Sequence, residues 1–200
     1  LRRAVAQEAA RVMAEHGIQD FRTAKRKAAE RFGVGEDGAL PSNTEIEAAL
    51  VAYQRLFVAD SHGATLRAQR NAALRAMRSL AAFSPRLVGP VLHGTATAHA
   101  DVQLHLFSDQ PEAVALHLLD RGVGHDVGEH RLRLDAERYR NYPTVRFELD
   151  EQVIDATVFP LDGIRQAPVS PVDGRPMRRA DATELAALPR VGDAVVQQAL

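Results

Sequence analysis

The sequence predicts an α+β protein: an N-terminal helical domain followed by a mixed β-sheet with helices on one face. Three observations carry this. Apolar residues recur at helical spacing through residues 1–82, the period changes to two at Asp101–Phe107, and two further alternating runs follow at Thr144–Asp150 and Val153–Phe159. The break falls at Pro85, so we expect domains at 1–85 and 86–165, then a tail over 166–200 carrying one short helix.

Each element has a local cause. Val5, Ala9, Val12, Met13 and His16 mark one face of a first helix that Gly17 stops. A second helix, about 20–32, is basic on its outside (Arg22, Lys25, Arg26, Lys27, Arg31) and ends at Gly33. Gly33–Gly38 with Pro41 reads as loop. Ser42 or Asn43, with Glu45 nearby, caps a third helix that carries Ile46, Leu50, Tyr53 and Phe57. A fourth, about 62–82, puts Leu66, Ala73, Met77 and Leu80 on one side, with Arg67, Arg70, Arg75 and Arg78 elsewhere. Beyond Pro85, Leu87–Leu92 is a short apolar run leading to Gly94. Pro111 opens a helix that Gly122 closes, His130–Leu134 reads as a strand, and a short helix is expected over Asp181–Leu188.

Composition narrows the function classes. The 200 residues hold 46% hydrophobic and 26% charged side chains, enough apolar material for a core. The net charge of −1 does not favour nucleic-acid binding by bulk charge, although the basic helices could track phosphates locally. There is no cysteine, which excludes disulfides, thiolate zinc sites and thiol nucleophiles. No apolar stretch approaches the roughly 18 residues of a membrane span, and no signal-type segment opens the chain, so the expectation is a cytoplasmic protein without a membrane partner.

The segment from Val91 to Phe107 holds the candidate chemistry. Alternation puts Asp101, Gln103 and His105 on one strand face and Val102, Leu104 and Leu106 on the other. The apolar side belongs to the core, so Asp101 is expected to point outward beside a small-residue turn at Gly94, where backbone can approach a phosphate. A hairpin supplies more acids. A two-residue turn at Glu151-Gln152 opposes Leu149 to Ile154 and Phe147 to Ala156, and places Glu148 directly opposite Asp155. Opposed carboxylates repel unless a cation or proton sits between them, so they are either a metal site or solvated acids on an exposed face.

In this order the features resemble the nucleotidyltransferase superfamily, the fold of DNA polymerase beta-like enzymes and the minimal bacterial nucleotidyltransferases. Val91-Leu92-His93-Gly94-Thr95 is similar to the family's strand-ending glycine turn, Asp101-Val102-Gln103-Leu104 to its two-acid strand, and Val153–Pro160 to its third-acid strand. The resemblance covers roughly residues 86–162. It implies a nucleoside triphosphate as partner and Mg2+ or Mn2+ held by Asp101 and Asp155, with Gln103 and Glu148 as further candidate ligands. Gly94 and Thr95 would hold phosphate. The match is degenerate, because Gln103 stands where the family has its second acid.

Three readings follow. The first is metal-dependent transfer of a nucleotidyl group to an unknown acceptor, weak or lost. The second is a catalytically inactive fold member that binds nucleic acid or protein. The third is a helical interaction protein whose sheet is scaffold. A histidine and carboxylate site for zinc or manganese built on His99, Asp101, His105 and Asp155 is a further alternative.

Overall fold

The computed structural model describes residues 1–35 and 40–189. Residues 36–38 of the expected Gly33–Gly38 loop, residue 39 and the end of the tail lie outside the described residues. The fold is α+β, about 49% of the described residues being helix and 22% strand, and the helical region precedes the sheet. It divides into two compact units: Leu1–Leu66 with Thr95–Ala100 and Pro171–Asp173, and Arg67–Gly94 with Asp101–Ser170 and the remainder from Gly174 onward.

The helical unit contains α1 (Arg2–His16), α2 (Phe21–Phe32), α3 (Asn43–Phe57) and the first turns of α4 (Ala59–Ser79). Gly17 and Gly33 end α1 and α2 in the left-handed conformation, which carries no Cβ penalty at glycine. Asp20 caps α2, and Ser42 with Glu45 closes a reciprocal capping box on α3. Val5, Ala6, Ala9, Met13, Ala24, Ala28 and Ile46 form one buried cluster. Alanine at four of these positions lets the helices approach closely. Phe57, expected in this core, is 69% exposed, while Gln54 is buried and donates to the carbonyls of Thr95 (2.9 Å) and Ala96 (3.3 Å). A polar side chain satisfied by loop carbonyls takes the position that spacing alone would give to an aromatic.

The sheet unit continues α4 into a 3-10 turn and adds β1 (Arg86–Val88), α5 (Gly89–His93), β2 (Val102–Phe107), α6 (Glu112–Asp120), β3 (His125–Arg133), β4 (Tyr139–Leu149), β5 (Gln152–Phe159) and α7 (Ala182–Ala186). The strand order is β1-β2-β5-β4-β3, with β2 and β5 parallel and every other pair antiparallel. Val102, Leu104, Leu106, Ile154, Ala156, Val158, Val145 and Phe147 form the buried apolar face.

Two expectations about the strands need correction. The hairpin turns at Asp150-Glu151, not Glu151-Gln152, with φ of 52° and 62°. Two successive positive φ values match the strand twist in a tight turn, and this geometry outweighs the absence of glycine. Leu149 therefore opposes Gln152, Phe147 opposes Ile154, and Glu148 opposes Val153. Both apolar rows still share a face, but the two acids are not opposite each other. The β4–β5 ladder stops at Thr144↔Thr157, one residue short of Pro143, which has no N–H to donate. The second correction concerns Gly94. Residues 91–93 belong to α5 rather than to a strand, so β1 ends at Val88 and the glycine that follows it is Gly89, at φ +73°.

Candidate functional site: an acid pair on the polar face of the sheet

The parallel pairing of β2 and β5 places Asp155, on β5, near Asp101, which immediately precedes β2. Gln103 on β2 pairs in register with Asp155 on β5, and Asp101 precedes Gln103 by two residues on the same face. On the other side of β5, Arg146 of β4 stands across from Asp155, and Asp126 of β3 stands across from Arg146. Arg146 Nη2 lies 3.0 Å from Asp101 Oδ2, with 11% of the Asp101 side chain exposed against 52% of Arg146. His130 Nε2 lies 3.3 Å from Asp155 Oδ2, and its Nδ1 lies 3.3 Å from Thr157 Oγ1.

Burial pushes the Asp155 carboxyl above the usual carboxylate range. His130 pulls it back down, the neighbouring Asp101 charge raises it further, and Arg146 opposes both effects of crowding. Asp101 does not point outward into solvent as expected; it is buried, at 8% exposure. A buried carboxylate needs a counter-charge, and Arg146 provides it.

The other predicted residues fall elsewhere. Glu148 is exposed on β4 across from Val153. The Gln103 carboxamide lies against Gly89, where an added Cβ would come within 3.0 Å of Gln103 Cδ. Gly94 caps the C-terminus of α5, its N–H donating to Pro90 O at 2.9 Å. The end of a helix presents carbonyls, which favour cations over phosphate. Thr95 belongs to the helical unit, where its carbonyl accepts from Gln54. His99 is exposed, and its carbonyl accepts from Gln19 Nε2 at 2.9 Å. His105 is buried and accepts at Nδ1 from Arg179 Nε at 2.9 Å. Burial, with Arg179 and His130 nearby, holds the His105 imidazole well below its ordinary pKa.

The basic residues of α4 are also partly committed. Arg70 donates to the carbonyls of Val91 (3.2 Å) and Leu92 (3.3 Å), and Arg75 pairs with Asp150 at 2.9 Å. On α2, Arg31 pairs with Glu8 at 2.8 Å, while Arg22 and Lys27 are exposed.

Sequence reasoning missed Arg146, His130 and Arg179. Arg146 shares strand parity with Glu148, so a turn placed one residue earlier would have set it across from Asp155. Nothing local points to His130, which reaches Asp155 only because β3 folds beside β4. Arg179 arrives from the tail, its guanidinium over the rings of Phe107 (4.9 Å) and Phe159 (5.0 Å). Its Nη1 donates to Gly163 O at 2.8 Å, and Ala180 bridges to Leu87. The tail segment therefore lies along the sheet unit.

No protein-family model, curated protein or solved structure matches the chain. Among the described residues, no helix is long and apolar enough to cross a membrane. Nor do three or more histidines and carboxylates converge as a metal cluster. Two carboxylates suit one Mg2+ or Mn2+ whose remaining positions go to phosphate oxygens and water, which is how Mg2+ is commonly held. They do not suit two ions, which need more shared anionic ligands.

Proposed function

We propose that this chain is a nucleotidyltransferase-like protein that binds a nucleoside triphosphate with one divalent cation at Asp101 and Asp155, transfer being weak or lost. The observation that supports the reading most is that Asp101, immediately before β2, lies close enough to Asp155 on the adjacent parallel β5 for its charge to raise the Asp155 pKa. The order β1, short α5, then β2 with Asp101 immediately before it runs in the sense the resemblance implies, and α6, β3 and β4 intervene before β5 with Asp155.

The chemistry follows from the residues present. Asp101 and Asp155 would hold Mg2+ or Mn2+, and the ion would supply charge neutralisation for a triphosphate. Gln103 offers one neutral oxygen and is directed onto Gly89, so it adds no charge. His130 holds Asp155 in place from β3. With one carboxylate fewer than two-ion chemistry requires, binding is the primary activity and transfer to an acceptor is secondary.

The test is titration of the full chain with Mn2+ and a nucleoside triphosphate. Saturable binding that Asp101→Ala abolishes supports the reading. No binding at millimolar ligand, with Asp101→Ala changing nothing, removes it.

One observation favours the second reading, an inactive fold member acting as an interaction module: Asp101 already has a cation, Arg146. On that reading the acid pair is structural, and the exposed Arg22 and Lys27 of α2 contact a nucleic-acid backbone. Salt-sensitive RNA binding lost in a Lys25→Ala, Arg26→Ala, Lys27→Ala variant would favour it.

A further inference from the structure

The acid pair meets the protein's own cation before it meets any ligand. Asp101 is fixed and nearly enclosed, whereas the Arg146 side chain that neutralises it is half exposed at the end of a long, flexible stem. Arg146 stands in register between Asp155 on one neighbouring strand and Asp126 on the other, so carboxylates flank it on both sides. A divalent ion arriving alone must displace this guanidinium or share the acids with it at a repulsive distance. An ion arriving with a triphosphate brings a new partner for the guanidinium, whose planar fork matches two phosphate oxygens.

We infer that Arg146 couples cation binding to triphosphate binding. In the free protein it holds Asp101 and keeps divalent ions out. With a triphosphate present it moves onto the phosphate oxygens, and the acids become available to the ion. Metal and triphosphate then bind together, each tightening the other, and neither binds well alone. This inference rests on the reading of Asp101 and Asp155 as a cation and triphosphate site.

The experiment measures free Mn2+ by electron paramagnetic resonance over the full chain, with and without the α,β-methylene analogue of ATP, each titration corrected for the Mn2+ that the analogue binds in the absence of protein. The wild type is expected to bind Mn2+ weakly alone, and about tenfold or more tightly with the analogue, within the usual range of such couplings. Arg146→Gln is expected to bind Mn2+ alone about tenfold more tightly, because a nearby positive charge is gone, and to lose the effect of the analogue. Arg146→Lys keeps a charge beside Asp101. It should retain a weaker coupling, since an ammonium cannot take two phosphate oxygens at once.

Two results separate the possible failures. If Arg146→Gln and Arg146→Lys match the wild type in Mn2+ affinity and coupling, while Asp101→Asn abolishes binding, the role of Arg146 is overturned and the acid-pair reading stands. If no variant binds Mn2+ with or without the analogue, although thermal melts show each folded, the acid-pair reading falls and takes this inference with it.

Discussion

The guanidinium of Arg146 lies 3.0 Å from the carboxylate of Asp101, while Arg146 itself pairs in the β4–β5 register with Asp155, whose carboxylate meets His130 at 3.3 Å. Arg146 thus pairs with one acid, and its charge also lowers the pKa of the other. Removing it leaves a buried carboxylate beside a second, half-buried one. Arg146→Ala should cost about 2 kcal/mol, less than a fully buried pair because half of Arg146 faces solvent. The double variant with Asp101→Ala should fall short of additivity by about 1 kcal/mol, measured by urea denaturation. Strict additivity would show that the pair contributes nothing.

The buried His105 makes stability depend on pH. Its folded pKa lies below the unfolded value of 6.5, so the folded state resists protonation there and the unfolded state does not. The stability this group contributes is present above that value and is lost as pH falls through and below it. His105→Gln keeps a side-chain acceptor for Arg179 but cannot titrate, so its urea midpoint should fall less than the wild type's from about pH 7 to pH 5. Parallel pH profiles would remove His105 as the cause.

Gly89 and Gln103 occupy one another's space. Alanine at Gly89 meets left-handed strain of about 1–2 kcal/mol and also contact with the Gln103 carboxamide. Gly89→Ala should therefore lower the melting temperature, and Gln103→Ala should restore part of the loss, leaving the strain alone. A Gly89→Ala penalty that is the same in both backgrounds would mean that Gln103 swings away freely.

The β4–β5 turn runs through two non-glycine residues at positive φ. Glu151→Gly relieves strain at φ 62° and should stabilise the protein by about 1 kcal/mol. Asp150 is the poorer choice, because its carboxylate holds Arg75 at 2.9 Å. A lower melting temperature for Glu151→Gly would contradict the turn geometry.

Ser42 accepts from Glu45 N while Glu45 accepts from Ser42 N, closing the start of α3. Ser42→Ala should cost about 1 kcal/mol in urea denaturation, and Ser42→Asp should recover most of it. Equal stability of all three would mean that the box is not formed in solution.

Local chemistry was enough to read much of this protein from its residues. Gly17 and Gly33 stop helices, Ser42 and Asp181 start them, and alternation marks β2, β4 and β5, because each signal acts within a few residues of its own position. The same locality made Asp101 and Asp155 visible as candidates, one just before β2 and one on β5. It could not reveal the first half of β3, whose side chains are mostly exposed and so show no apolar alternation. Register, partner and burial were decided by the tertiary structure. A one-residue difference in turn position exchanged Glu148 for Arg146 across from Asp155, and so exchanged repulsion for attraction. His130 and Arg179 reached the polar face only through strand pairing and the returning tail. Sequence alone determined which residues have helical or extended habits and which carry charge. Only the folded chain decided which charges meet, because pairing energy depends on distances that the order of residues does not contain.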